Sequence, residues 1–138
     1  MIYVDTSLLL PVYTPEERSE EANKILETVS PIVISDLTVA EFYVGLARKV
    51  KLGTLSAPQS EAAQGAFESH LREGLLRRIA LRSSHSEAAG QLASKASVML
   101  RTLDALHIAV AAGLGSSVAT FDGRLADAAR DLGIEVLP

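Results

Sequence analysis

Four acidic residues stand where chemistry could use them: Asp5 in "YVDTS", Glu41 in "SDLTVAEF", Asp104 in "RTLDALHIAVAAG" and Asp122 in "TFDGRL". Carboxylate oxygens are hard ligands, the kind Mg²⁺ takes alongside waters and phosphate oxygens. Two carboxylates held about 4 Å apart repel by roughly 4 kcal/mol at an effective dielectric of 20. A fold that gathers such groups needs a bound proton, a basic partner or a cation. Only Arg101 and His107, three residues to either side of Asp104, are candidate basic partners. Two positive groups do not neutralise four acids; a divalent ion added to them does. With one or two such ions a bound water becomes a nucleophile at neutral pH and the leaving oxygen is stabilised. The chemistry implied is phosphodiester hydrolysis, with the Thr6 and Ser7 hydroxyls placed to hydrogen-bond a metal-bound water.

Each acid also has an ordinary structural explanation. Asp5 suits the N-cap of a short helix starting near Leu8. Thr38 and Glu41 fit the Thr-x-x-Glu capping box. Asp104 follows Thr102, a plausible N-cap, and would complement the positive end of a helix, worth about 0.3–1 kcal/mol. Asp122 precedes Gly123, and Asp-Gly is a turn signal. Hydroxyls after a strand-ending aspartate are normal caps too. What these explanations leave out is where the four acids stand relative to one another, and that depends on the elements carrying them.

"MIYV" reads as a buried strand. "TPEERSEEANKILETV" carries helix-start signals, with Thr14 as N-cap, Pro15 at the first helical position and Glu17 closing a capping box. "PIVIS" is a second strand, followed by a helix from about Thr38 through Val50. "SAPQSEAAQGAFESHLREG" repeats the start signal at Ser56 and stops near Gly74. "LLRRIAL" reads as a third strand and "SHSEAAGQLASKA" as a helix. In "RTLDALHIAVAAG" the residues Leu103, Leu106, Val110 and Leu114 recur at helical spacing. "SSVATF" is a fourth strand, "GRLADAARDLG" a helix and "IEVLP" a fifth strand. Short apolar strands alternating with helices predict an α/β domain, 1–138, with a largely parallel sheet of about five strands. Ligands of such sheets collect beyond the carboxyl ends of the strands. Asp5 and Asp122 end strands, and Glu41 and Asp104 open helices, so all four belong to that rim. If the strands of Asp5 and Asp122 are neighbours, the acids converge.

The bulk numbers agree with a folded globular domain. A hydrophobic share of 48% against 22% charged excludes a disordered chain. Mean hydropathy is +0.23, which fits an Ala- and Leu-rich interior first and an apolar surface for a partner second. There are no cysteines, which excludes disulfides, thiolate zinc sites and cysteine nucleophiles. The net charge of −4 argues against a histone-like nucleic-acid binder, though not against an enzyme touching a few phosphates. Arg48, Lys49 and Lys51, and Arg72, Arg77, Arg78 and Arg82, read as solvated faces. The opening "MIYVDTSLLL" has no basic leader, and the longest uncharged run, Ile108 to Phe121, falls short of the roughly 18 residues of a membrane span. The expectation is a cytoplasmic protein with no membrane association.

The motifs "IYVDTSLLL", "SDLTVAEF", "RTLDALHIAVAA" and "VATFDGRLADAARDLG" follow one another in the order and style of the PIN domain. The whole chain resembles the small PIN-domain ribonuclease toxins of toxin–antitoxin pairs, the VapC-type group; "DALHIA" followed by "TFDGRL" is the most telling part. The resemblance implies a three-layer α/β/α fold and an Mg²⁺- or Mn²⁺-dependent endoribonuclease. It makes Asp5, Glu41, Asp104 and Asp122 the acidic site residues, with Asp5, Asp104 and Asp122 on the metal. Ser7 would support Asp5, and Arg101 would touch substrate phosphate or orient Asp104. His107 is expected to pack against the helix layer. The resemblance further implies an RNA substrate, a homodimer and a cognate antitoxin. The helices holding Ile25, Leu26 and Val29, and Phe42, Leu46 and Val50, are candidates for an apolar groove that receives the antitoxin. The alternative is a non-catalytic PIN-like module binding metal or RNA. A phosphatase with Asp5 as nucleophile fits poorly, because the haloacid dehalogenase pattern wants an Asp where Ser7 stands.

Overall fold

The computed structural model describes residues 1–138. Five strands, β1 (Ile2–Val4), β2 (Ile32–Ser35), β3 (Leu76–Ile79), β4 (Ser117–Ala119) and β5 (Val136–Leu137), form one sheet in the order β3-β2-β1-β4-β5. Every pairing is parallel. Seven helices connect them: α1 (Thr6–Tyr13), α2 (Ser19–Glu27), α3 (Asp36–Lys51), α4 (Ala57–Arg72), α5 (Ser83–Lys95), α6 (Thr102–Leu114) and α7 (Gly123–Asp131).

The central strand shows how the layers arise. Successive strand side chains point to opposite faces, so Ile2 and Val4 enter one core while Tyr3 enters another. The first core joins Leu8 and Leu9 of α1, Ala22 of α2, Phe42 and Leu46 of α3, and Phe67 of α4. The second joins Ile108 and Val110 of α6 with Leu125 and Ala129 of α7. A helix layer on each face gives the three-layer sandwich that the resemblance implies. The chain leaves β1 toward β2 and β3 on one side and returns to β4 and β5 on the other. The strand order therefore reverses between β1 and β4, and in open α/β sheets the crevice beyond such a reversal is where ligands bind.

Several local expectations need correction. Thr14 starts no helix: it ends α1, its hydroxyl donating to the Leu10 carbonyl at 3.0 Å, and α2 opens only at Ser19. Helix α1 itself begins at Thr6, before the expected Leu8, with Asp5 in the N-cap position. Helix α3 begins at Asp36 with Ser35 as its cap, so Thr38 and Glu41 form no capping box. Helix α6 is capped at Arg101, with Thr102 already inside it. Ser56 does cap α4 as expected, in a reciprocal box with Gln59. The proposed apolar groove is not open on the α3 side. Phe42 and Leu46 are fully buried, and Phe42 stacks on Phe67 of α4 at 4.2 Å between ring centroids. They hold the core together and leave no seat there for a partner.

Candidate active site

The strands carrying Asp5 and Asp122 are neighbours, and their ends are tied directly. Val4 pairs with Ala119 in register, and the Asp5 amide donates to the Ala119 carbonyl at 3.2 Å. Ser7 completes the junction from the first turn of α1. Its hydroxyl donates to Asp5 Oδ1 at 2.9 Å, and its oxygen accepts from the Phe121 and Asp122 amides at 2.8 and 3.1 Å. Thr120 lies in the same knot, 3.1 Å from Ser7 Oγ, with its own oxygen accepting from the Asp122 amide. Ser7 thus lies in direct hydrogen-bond contact with Asp5.

The four acids meet different surroundings. Asp5 is 5% exposed and makes no side-chain cap bond, so capping does not explain its carboxylate. Burial pushes its carboxyl above the usual range, against the lowering influence of His107 and of hydrogen bonds from Ser7 and Thr120. Asp104, in the first turn of α6, is also pushed up, by burial first and then by the charge of Asp122; Glu41 adds to this, while His107 and Arg101 oppose it. Asp104 thus feels two of its fellow acids. Asp122 is exposed and caps α7, Oδ1 accepting from Arg124 N at 2.8 Å and more loosely from Leu125 N. For this residue the structural explanation is real, yet it occupies only one oxygen.

Glu41 reaches the rim from the second turn of α3. Burial would raise its carboxyl, but hydrogen bonding and charge from His107, together with the Thr6 hydroxyl, bring it below the usual range. His107 is the residue the sequence undervalued. It is 3% exposed and links two groups: Nδ1 lies 2.6 Å from the Tyr3 hydroxyl, and Nε2 lies 2.8 Å from Glu41 Oε2. Its position three residues after Asp104 was the available signal. Its partners, 66 and 104 positions away in the chain, were not readable.

No Lys or Arg forms an ion pair with Asp5, Asp104 or Asp122. Arg101 is exposed and acts on Asp104 only through its charge. A cleft of about 460 Å³ opens beside it, lined among others by Met99, Arg101, Asp104 and Arg124. The acids line a common rim; no three His, Asp or Glu side chains close into a cage around one point. Burial raises the carboxyls of Asp5 and Asp104 even though His107 opposes it at both.

Residues 2–131 match the family model described as PIN domain. The chain is a PIN domain. Among curated relatives of this PIN domain is Ribonuclease VapC46 of Mycobacterium tuberculosis, 33% identical, the match covering 99% of the chain and 95% of the relative. Solved structures share the fold at lower identity. One is VapC20 of Mycobacterium tuberculosis, described as a sarcin-ricin loop cleaving toxin, with TM-score 0.72, 20% identity and coverage of 93% and 95% of the two chains. Another is a toxin–antitoxin complex from Klebsiella pneumoniae, with TM-score 0.70, 18% identity and coverage of 100% and 97%. No helix of this PIN domain is long and apolar enough to cross a membrane.

Proposed function

We propose that this PIN domain is a metal-dependent endoribonuclease, the toxin of a toxin–antitoxin pair, with Asp5, Glu41, Asp104 and Asp122 as its acidic site. The observation that carries the reading is the junction at the reversal point of the sheet, where Ser7 ties Asp5 to the Asp122 amide and Asp104 lies near enough to feel the charges of Asp122 and Glu41. Near-full-length similarity to a ribonuclease supports RNA as the polymer.

A divalent ion at this rim supplies Lewis-acid stabilisation and a water activated for attack at neutral pH. Asp5, Asp104 and Asp122 are the residues that would hold Mg²⁺ or Mn²⁺. Ser7 fixes Asp5 Oδ1. Asp122 likewise uses Oδ1 for its helix cap and keeps Oδ2 free. Glu41, ionised and held by His107 and Thr6, accepts a proton from water or orients it. Arg101 and Arg124 flank the cleft beside Asp104, where guanidinium groups suit phosphate oxygens.

The partners belong to the same proposal: RNA as substrate, a cognate antitoxin as inhibitor and a second copy of the chain in a homodimer. Light scattering on the purified protein checks the dimer, and co-expression with the neighbouring gene product checks the antitoxin.

The decisive test is Asp104→Asn, with Mn²⁺ binding and RNA cleavage measured together. Cleavage should fall roughly 10²–10³-fold, the cost of removing one preorganised electrostatic group. Cleavage by the wild type that survives a chelator would remove the metal from the reaction. Wild-type protein that binds Mn²⁺ yet cuts no RNA would favour a non-catalytic module.

A further inference from the structure

The proton positions around Glu41 can be worked out from the donors available. Thr6 Oγ1 donates to Glu41 Oε2 at 2.7 Å, and His107 Nε2 lies 2.8 Å from that same oxygen. An ionised carboxylate only accepts, so Nε2 carries the hydrogen. In a neutral ring Nδ1 must then accept, and its neighbour is the Tyr3 hydroxyl at 2.6 Å. Tyr3 can give its proton that way because Ser35 Oγ, 2.8 Å off, can donate to the phenol oxygen in turn. Burial raises the Tyr3 hydroxyl to about 12, so it remains a donor. In a charged ring both nitrogens donate, and Nε2–H still points to Glu41. Both donors fall on Oε2, while Oε1 takes no hydrogen bond from the protein.

We infer that His107 is a positioning residue of the active site: with Thr6 it pins Glu41 by Oε2, and Tyr3 locks the ring in the Nε2–H form that does so. Oε1 is thereby left as the acceptor for the cation or its bound water. The inference rests on the metal-nuclease reading and adds a residue to it. Partners of this outer kind typically cost 10–100-fold in metal affinity when removed.

The test is calorimetric Mn²⁺ binding at neutral pH by wild type, His107→Leu, Glu41→Gln and the double variant, each checked for folding by circular dichroism. His107→Leu should weaken binding about tenfold. In the Glu41→Gln background the same change should add almost nothing, which a merely structural role does not predict. His107→Gln, whose amide nitrogen can stand near the Nε2 position, should recover most of the affinity. A folded His107→Leu variant that binds like wild type, or losses that multiply in the double variant, would overturn the inference. If His107→Leu does not fold, Tyr3→Phe takes its place. It should loosen Mn²⁺ several-fold, and ring ¹⁵N shifts should pass from the Nε2–H tautomer of the wild type to a mixture. An unchanged tautomer and affinity in Tyr3→Phe, or a wild-type ring protonated on Nδ1 alone, would overturn it equally. Wild-type protein that binds no Mn²⁺ sinks the metal reading itself, so the two failures are separated by which protein fails.

Discussion

Two aspartates that follow neighbouring strands of the same sheet have opposite fates. Asp36 follows β2 and is fully provided for. Its Oδ1 accepts from Arg78 Nε at 2.6 Å, its Oδ2 accepts from the Leu81 amide at 3.0 Å, and its carboxyl lies below the usual range, first through the Leu81 bond and then through Arg78. Asp5 follows β1, is buried, takes the Ser7 hydroxyl on Oδ1 with Thr120 also hydrogen-bonding to it, and pairs with no Lys or Arg. The fold is therefore able to neutralise a carboxylate at this edge, and does so one strand away. At Asp5 the relief comes from hydroxyls, the Ser7 backbone and His107, and burial still holds the carboxyl up. A buried acid without a paired base is costly, and the contrast sets Asp5 apart from Asp36.

The contrast can be tested by breaking each side of it. The largest effect belongs to Asp5→Asn, which removes charge from the side without a paired base. RNA cleavage should drop roughly 10²–10³-fold, while the melting temperature of the metal-free protein should rise, because the cost of burying the charge disappears. A fall in both would mean that Asp5 holds the fold together and not an ion. Next comes the cation itself. Mn²⁺ at about one hundred times its dissociation constant should stabilise the wild type by about 2.7 kcal/mol. Differential scanning calorimetry should find this gain largely absent in Asp5→Asn.

A smaller effect is expected on the provided side. Asp36→Ala should cost about 0.5–1 kcal/mol in urea unfolding, since the Arg78 pair is largely exposed and screened, and cleavage should change less than twofold. The smallest effect is the pH dependence, and its sign differs between the two residues. Asp36 titrates low in the folded state, so its contribution is present above the unfolded pKa and is lost as acid takes the pH down through the folded one. Asp5 and Asp104 titrate high, so their contribution is complete below the unfolded pKa and drains away as pH rises through the folded values. Metal-free wild type should therefore lose stability with rising pH over the upper carboxylate range, and Asp5→Asn should flatten that slope. An identical slope in both proteins would deny Asp5 its raised pKa.

The sequence carried the alternation of strands and helices, and with it the parallel sheet and the rim on which the acids stand. It also carried Ser7, because a hydroxyl two residues after a strand-ending aspartate has few places to go. Local signals misled where two structures share them. Thr14 with Pro15 looks like the opening of a helix, but the same polar residue and helix breaker also end one, and α1 reaches Tyr13 first. Thr38 and Glu41 satisfy a capping pattern one turn too late, because Ser35 had already capped α3. Long-range packing was the other blind spot. Nothing near Leu46 says that it faces a core shared with Phe67 and Leu8, where truncation to Ala costs about 2–5 kcal/mol. Nor does anything near His107 say that Tyr3 and Glu41 bracket its ring.

The junction of β1 and β4 has a consequence for how the molecule is made. Ser7 reaches across 115 positions of chain to the Asp122 amide, so the first acid to leave the ribosome waits for the last. A nascent chain that has not yet released β4 has Asp5 and Glu41 but neither the strand beside them nor Asp122. An unfinished copy, or one truncated before that strand, therefore lacks a complete acidic rim, which closes only once synthesis is almost complete.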